Sequence, residues 1–157
     1  MKNLTPNWYK EPVSCSEIEK VESDIGYIFP YRYKEIVSIY DQLMLAENIF
    51  DFTNVYGKDD ERDLNFISLS QKQATTMYDY KITSDPEYAG IPHLVAFGVC
   101  ANGDYVCFDY REDPKGNNPK VVLMYHDDHI ENEDGTLSMV VNFVANSFDE
   151  FMEMLHE

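Results

Sequence analysis

The sequence predicts an α+β fold: a single domain spanning residues 1–157, with a mostly antiparallel sheet flanked by helices. Three observations carry that expectation. Two short amphipathic helices open the chain, residues 93–143 read as consecutive strands joined by turns, and an apolar-striped helix follows them. Helices and strands occur in runs and do not alternate, which favours a sheet of sequential antiparallel strands over a parallel one. At 157 residues, one hydrophobic core can bury about two-thirds of the surface of the unfolded chain, enough for a domain to stand alone.

The first 13 residues, with Pro6 and Pro12 around Trp8 and Tyr9, read as an irregular lead-in. Ser14 and Glu17 have capping-box spacing, so a helix starts there. Ile18, Val21 and Ile25 recur on one face, and Gly26 is placed to end it. Pro30 suits the first turn of a second helix, continued by Tyr33, Ile36, Val37 and Tyr40. Residues 48–56 are rich in aromatic and β-branched side chains and read as the first strand, ending at Gly57. A charged loop, residues 58–63, comes next. Ser70 and Gln73 again have capping-box spacing and predict a helix to about Lys81 that buries Ala74 and Met77.

The strongest local signal is Asn102-Gly103, which predicts a two-residue type I′ hairpin turn because both positions of that turn need positive φ. Pairing across it sets Val99 opposite Val106, Phe97 opposite Phe108 and Val95 opposite Tyr110, six residues on one buried face. Lys120 to His126 reads as the next strand, Asp127 to Gly135 as an acidic connection, and Leu137 to Phe143 as a further strand. Ser147 and Glu150 then cap a helix with Phe148, Phe151, Met152 and Leu155 on its apolar stripe.

Charge narrows the function classes. The chain carries 12 Lys and Arg against 29 Asp and Glu, a net charge of −17, yet 44% of it is hydrophobic. Such a chain can build a core, so disorder does not describe it. Nucleic-acid phosphates and anionic membrane surfaces would be repelled. The acid is concentrated late: residues 101–157 hold 3 basic and 13 acidic side chains. A solvated surface explains such a run, and so does a docking face for a cationic protein. There is no run of apolar residues long enough to span a membrane. The opening residues lack the apolar stretch of a secretory signal, and three cysteines cannot all pair within the chain; both point to a reducing cytoplasm.

Candidate chemistry is sparse. His126, Asp127, Asp128, His129 and Glu131 are residue types that bind divalent metals. They fall where a strand runs into a loop, though, and no helix holds both histidines on one face, so no metal and no other cofactor is expected. Cys100 and Cys107 sit diagonally across the hairpin, too far apart for a disulfide and without a neighbouring base to activate either thiol. They read as buried apolar side chains. Asp104 reads as a turn residue. No phosphate-binding loop, Gly-x-Ser-x-Gly elbow or His-Glu-x-x-His helix is present, and no catalytic residue is assigned.

The order of short motifs resembles the SUKH superfamily, the Smi/Knr-like family of bacterial immunity proteins and cell-wall regulators. The resemblance rests on Phe29-Pro30 and Tyr33 after a glycine-ended helix, and on Val95-Ala96-Phe97-Gly98 leading into Asn102-Gly103-Asp104-Tyr105. Pro119-Lys120-Val121-Val122 and Ala145-Asn146-Ser147-Phe148-Asp149-Glu150-Phe151 extend it. It covers roughly residue 17 onward, with one departure: Asp41-Gln42-Leu43-Met44 stands where many members have an Asn-Gly-Gly-like break. The resemblance implies an α+β fold and no enzymatic activity. It also implies an immunity protein that binds and neutralises a cognate toxin, often a nuclease and therefore basic where it holds nucleic acid. Asp59, Asp60, Glu61, Asp127, Asp128 and Glu131 are the expected contacts for that partner. A regulatory protein-interaction module is the alternative, followed by a small hydrolase with a metal at His126 and His129.

Overall fold

The computed structural model of the protein describes residues 3–73 and 75–157. In chain order the elements are β1 (Pro6–Lys10), α1 (Cys15–Ile25), α2 (Tyr31–Val37), β2 (Asp41–Leu45), β3 (Ile49–Thr53), β4 (Asp59–Asp63) and β5 (Asn65–Phe66). Two 3₁₀ helices follow, Met77–Ser84 and Pro86–Tyr88. Then come β6 (Leu94–Val99), β7 (Tyr105–Asp109), β8 (Lys120–Glu131), β9 (Leu137–Ala145) and α3 (Phe148–Met154). Strands β5 to β9 form one antiparallel sheet in sequence order, and β1–β2 and β3–β4 are separate two-stranded ribbons. The architecture is the expected α+β with a mostly antiparallel sheet.

Helices α1 and α3 each start at a serine whose side chain caps the first turn. The Ser14 side chain accepts from the Glu17 backbone N–H, and Gly26 ends α1 in the left-handed region at φ 84°. The Glu17 carboxylate does not complete a capping box; it reaches across to the Gln71 N–H at 3.2 Å and so ties α1 to a loop. Helix α2 stops at Val37, short of the expected Tyr40. In α3 the Ser147 side chain accepts from the Glu150 N–H, and Phe148, Phe151, Met152 and Leu155 are all fully buried.

Those side chains meet α2 and the sheet in an aromatic core. Phe97 stacks on Phe108 with ring centroids 4.2 Å apart, and Tyr33, Phe148 and Phe151 pack edge-on around them. The longer 3₁₀ helix lies against β6: the Thr83 hydroxyl donates to the Leu94 carbonyl at 2.9 Å and accepts from Ala96 N–H at 3.3 Å. That cover is why Ala96 and Cys107, on the smaller face of the hairpin, are as buried as the phenylalanines.

Several sequence expectations change. The lead-in is not wholly irregular, since Pro6–Lys10 pairs with β2. Asp41-Gln42-Leu43-Met44, read from the resemblance as a departure after α2, lies in that partner strand. The charged stretch 58–63 is largely strand β4, because pairing with the apolar-alternating β3 imposes extended backbone on a sequence with poor strand propensity. The helix expected from Ser70 begins later and is 3₁₀, capped by Thr76 and Asp79. Met77 is buried as expected, whereas Ala74 lies outside the described residues.

The hairpin turn also differs. Only Gly103 has positive φ, at 98°, while Asn102 does not. Gly103 N–H bonds to the Cys100 carbonyl and Cys100 N–H to the Asp104 carbonyl, the pattern of a three-residue loop closed by a left-handed glycine. The extra loop residue sets Val99 opposite Tyr105, and a bulge at Phe97 shifts the register again, so that Val95 faces Phe108. Phe97, Val106, Phe108 and Tyr110 are buried as expected, but Val95 and Val99 are only half-buried. Finally, Asp127 to Glu131 is no connection: β8 continues through it to Glu131.

Candidate protein-binding surface

Strands β3 and β4 pair in simple register, so the period-2 rule sorts their side chains onto two faces. Phe50 and Phe52 point inward and are buried. Asp51 opposes Glu61, and Thr53 opposes Asp59, on the outward face. All four outward residues are exposed. The ribbon has no backbone ladder to the main sheet. It is held by the Asn142 amide, which donates to the Thr53 carbonyl at 3.1 Å, and by backbone bonds of 2.9 Å exchanged in both directions between Ile49 and His156.

Beside the ribbon, β8 departs from regular pairing. Between Met124 and His129, β8 advances five residues while β9 advances only two, from Val141 to Met139. The surplus bulges outward at Tyr125 to Asp128, a device that re-aims side chains. Tyr125 turns its hydroxyl to Asn142 Oδ1 at 3.0 Å. His126 turns to Asp104, and Asp128 accepts a hydrogen bond from the Tyr56 hydroxyl at the tip of the ribbon.

Asp104 is the node between these parts. Its side chain is 1% exposed. Oδ1 accepts from His126 N–H at 3.1 Å and from His126 Nδ1–H at 2.6 Å. Oδ2 accepts from Arg62 Nε at 3.1 Å and from the Asn102 amide at 3.0 Å. Burial pushes this carboxyl upward, but the hydrogen bonds from His126, Asn102 and Arg62 outweigh burial and hold it below the usual carboxylate range. Arg62 also bonds Asp60 at 2.9 Å and lies over the rings of Phe52 and Tyr125, 5.6 and 5.9 Å from their centroids.

Of the six expected contact residues, the structure brings five together and leaves one apart. Asp59 and Glu61 are exposed on the ribbon. Asp60 lies on its inner side and is spent on Arg62 and Asn54. Asp127 is exposed, and Asp128 is joined to the ribbon through Tyr56. Glu131 faces Leu137 toward the end of β8, and no described contact links it to the ribbon. Sequence reasoning missed Asp51, Tyr56 and His156, which belong to the same surface. The alternation Phe50-Asp51-Phe52 held a signal for Asp51; nothing local signals that His156 Nε2 lies 3.1 Å from Asp51 Oδ1.

The residues raised for metal binding assemble differently from the His126–His129 pair. One ligand atom each from Asp104, His126 and Asp127 fall within 4.8 Å of one another. Both Asp104 oxygens, however, are already taken by protein donors, one of them the Arg62 guanidinium, so a cation would meet an arginine at this spot. Cys100 and Cys107 are free and buried, and burial pushes both thiols well above their ordinary value, which fits packing and not nucleophilic chemistry. Among the described residues no helix is long and apolar enough to cross a membrane.

The fold is an α+β domain that gathers exposed carboxylates on the β3–β4 ribbon and the adjoining bulge of β8. The family model of the SMI1 / KNR4 family (SUKH-1) matches residues 12–154, and the chain belongs to this family. A search of curated proteins found no match. Family membership supports an immunity or regulatory module whose partners are proteins.

Proposed function

We propose that this protein is a non-enzymatic, cytoplasmic immunity protein that binds and neutralises a cognate toxin with a basic, nuclease-type surface. The observation that carries the reading is the surface itself. Asp51, Asp59, Glu61 and Asp127 stand exposed on two adjoining elements, while Arg62, which follows Glu61 on β4, is turned inward onto Asp60 and Asp104. A face of that sign attracts a basic protein, speeds encounter with it, and can occupy a groove built for phosphates. The burial of Asp104 and the tie between Tyr56 and Asp128 hold the face in one shape, which lowers the entropy lost on docking.

The test is affinity capture from the native host at low and high salt, with mass spectrometry of the retained proteins, followed by co-expression of each captured protein with and without this chain. A basic protein that arrests growth alone and is silenced by co-expression supports the proposal. A housekeeping partner with no growth effect replaces it with the regulatory module.

A further inference from the structure

We propose that the outward face of the β3–β4 ribbon is a docking surface for an arginine-bearing segment of the protein partner, with Asp51 and Glu61 gripping a guanidinium group. The proposal rests on the binding role argued above and specifies the chemistry of what is bound.

Directly opposed like charges weaken a two-stranded ribbon, and opposite charges would strengthen it. Here Asp51 faces Glu61 across the strands, and Asp59 stands on the same side opposite Thr53. The cation that could have relieved this, Arg62, points to the other face. Among the described residues only His156 reaches Asp51, and no ion pair engages Glu61 or Asp59. Once His156 is neutral, the ribbon carries a repulsion that an arriving cation removes. The same residues, with Phe52, Thr53 and Asp60, line an open cleft of about 650 Å³, room for a long side chain.

Apolar contact is at hand beside the charge. Val55 and Tyr56, at the ribbon tip, are 48% and 68% exposed. The Tyr56 ring is nevertheless held in place by its hydroxyl on Asp128. An exposed but fixed aromatic next to a charged cleft has the character of an interface anchor. Arginine is favoured over lysine because two carboxylates on neighbouring strands offer paired acceptors to a planar fork, which a point charge cannot exploit. The protein satisfies its own Arg62 by this chemistry, with two carboxylates and two aromatic rings.

The experiment uses the full chain and two capped glycine-spaced peptides, identical except that one carries paired arginines and the other paired lysines. Amide NMR titration at low salt locates the binding, and calorimetry measures it. The arginine peptide should bind about tenfold more tightly than the lysine peptide. Its shifts should centre on residues 51–61, and the Asp51→Asn, Glu61→Gln double variant should lose about tenfold in affinity. At about pH 8.5, where His156 no longer offers Asp51 a charge, that variant should also melt no lower than the parent, since it sheds a repulsion. Equal affinity for the two peptides, shifts spread over the whole acidic surface, or undiminished binding by the double variant would each overturn the proposal. A captured toxin that the double variant holds as tightly as the parent would sink this assignment and leave the immunity role standing. Arginine binding at the ribbon without any toxin in the capture experiment would do the reverse.

Discussion

His126 donates its Nδ1–H to Asp104 at 2.6 Å, which fastens the bulge of β8 to the turn between β6 and β7. Because Asp104 also receives Arg62 from β4, one buried carboxylate sets the relative position of hairpin, bulge and ribbon. Replacing Asp104→Asn removes the charge shared by the Arg62 guanidinium and the His126 ring N–H. Urea denaturation should show a loss of about 3 kcal/mol, the usual cost of breaking a buried charge network on one side.

The same carboxyl predicts an acid limb. Its folded pKa is depressed, so its contribution is fully present above the ordinary value of 3.8 and is lost as pH falls through the lower folded value. A stability profile below about pH 4 should be steeper in the parent than in Asp104→Asn.

His156 gives the opposite limb. The Glu157 backbone carbonyl and then Asp51 raise its pKa above 6.5, so its contribution is complete below 6.5 and fades as pH rises through the raised value. Melting curves from about pH 5.5 to about pH 8.5 should show this decline in the parent and not in His156→Gln.

Thiol reactivity reports the cover on β6. In the folded protein Cys15 is exposed while Cys100 and Cys107 are buried with raised pKa values. A chromogenic disulfide reagent at neutral pH should label Cys15 rapidly and the other two only after denaturation. Gly90→Ala should change that result. A Cβ at Gly90 would lie 2.2 Å from the Ile82 carbonyl oxygen, so the 3₁₀ helix over β6 must shift. A loss of about 2 kcal/mol and faster labelling of Cys107 are expected.

Charge reversal separates steering from fold. Asp59→Lys with Asp127→Lys should slow association with the captured partner, more at low salt than at high, and leave the circular dichroism spectrum unchanged. Association rates that match the parent at every ionic strength would remove steering from the account.

Much of the architecture was legible in the sequence. Ser14 and Ser147 sit at the caps their spacing implied, the stripe of α3 is buried, and the strands after residue 93 pair in order. What escaped was set by distant partners. Asp59 to Asp63 has little strand propensity and is extended only because β3 lies beside it. Asn102-Gly103 marked a turn correctly, but its length, and with it the register, depended on Asp104 turning inward to Arg62 and His126. The acidic surface was half visible: Asp59 and Glu61 were named from their charge, whereas Asp51 and Tyr56 lay inside a stretch read for its apolar residues. Only the fold shows that Asp60, alike in sequence, points the other way.

The hydrogen bonds between Ile49 and His156 also bear on when the ribbon can be finished. During synthesis residues 49–63 leave the ribosome long before residue 156, so the nascent ribbon waits, acidic and without its backbone clasp, through the making of the whole five-stranded sheet. The ribbon is thus completed only once residue 156 is made, and a chain stalled short of that point would carry the whole five-stranded sheet beside an unclasped ribbon.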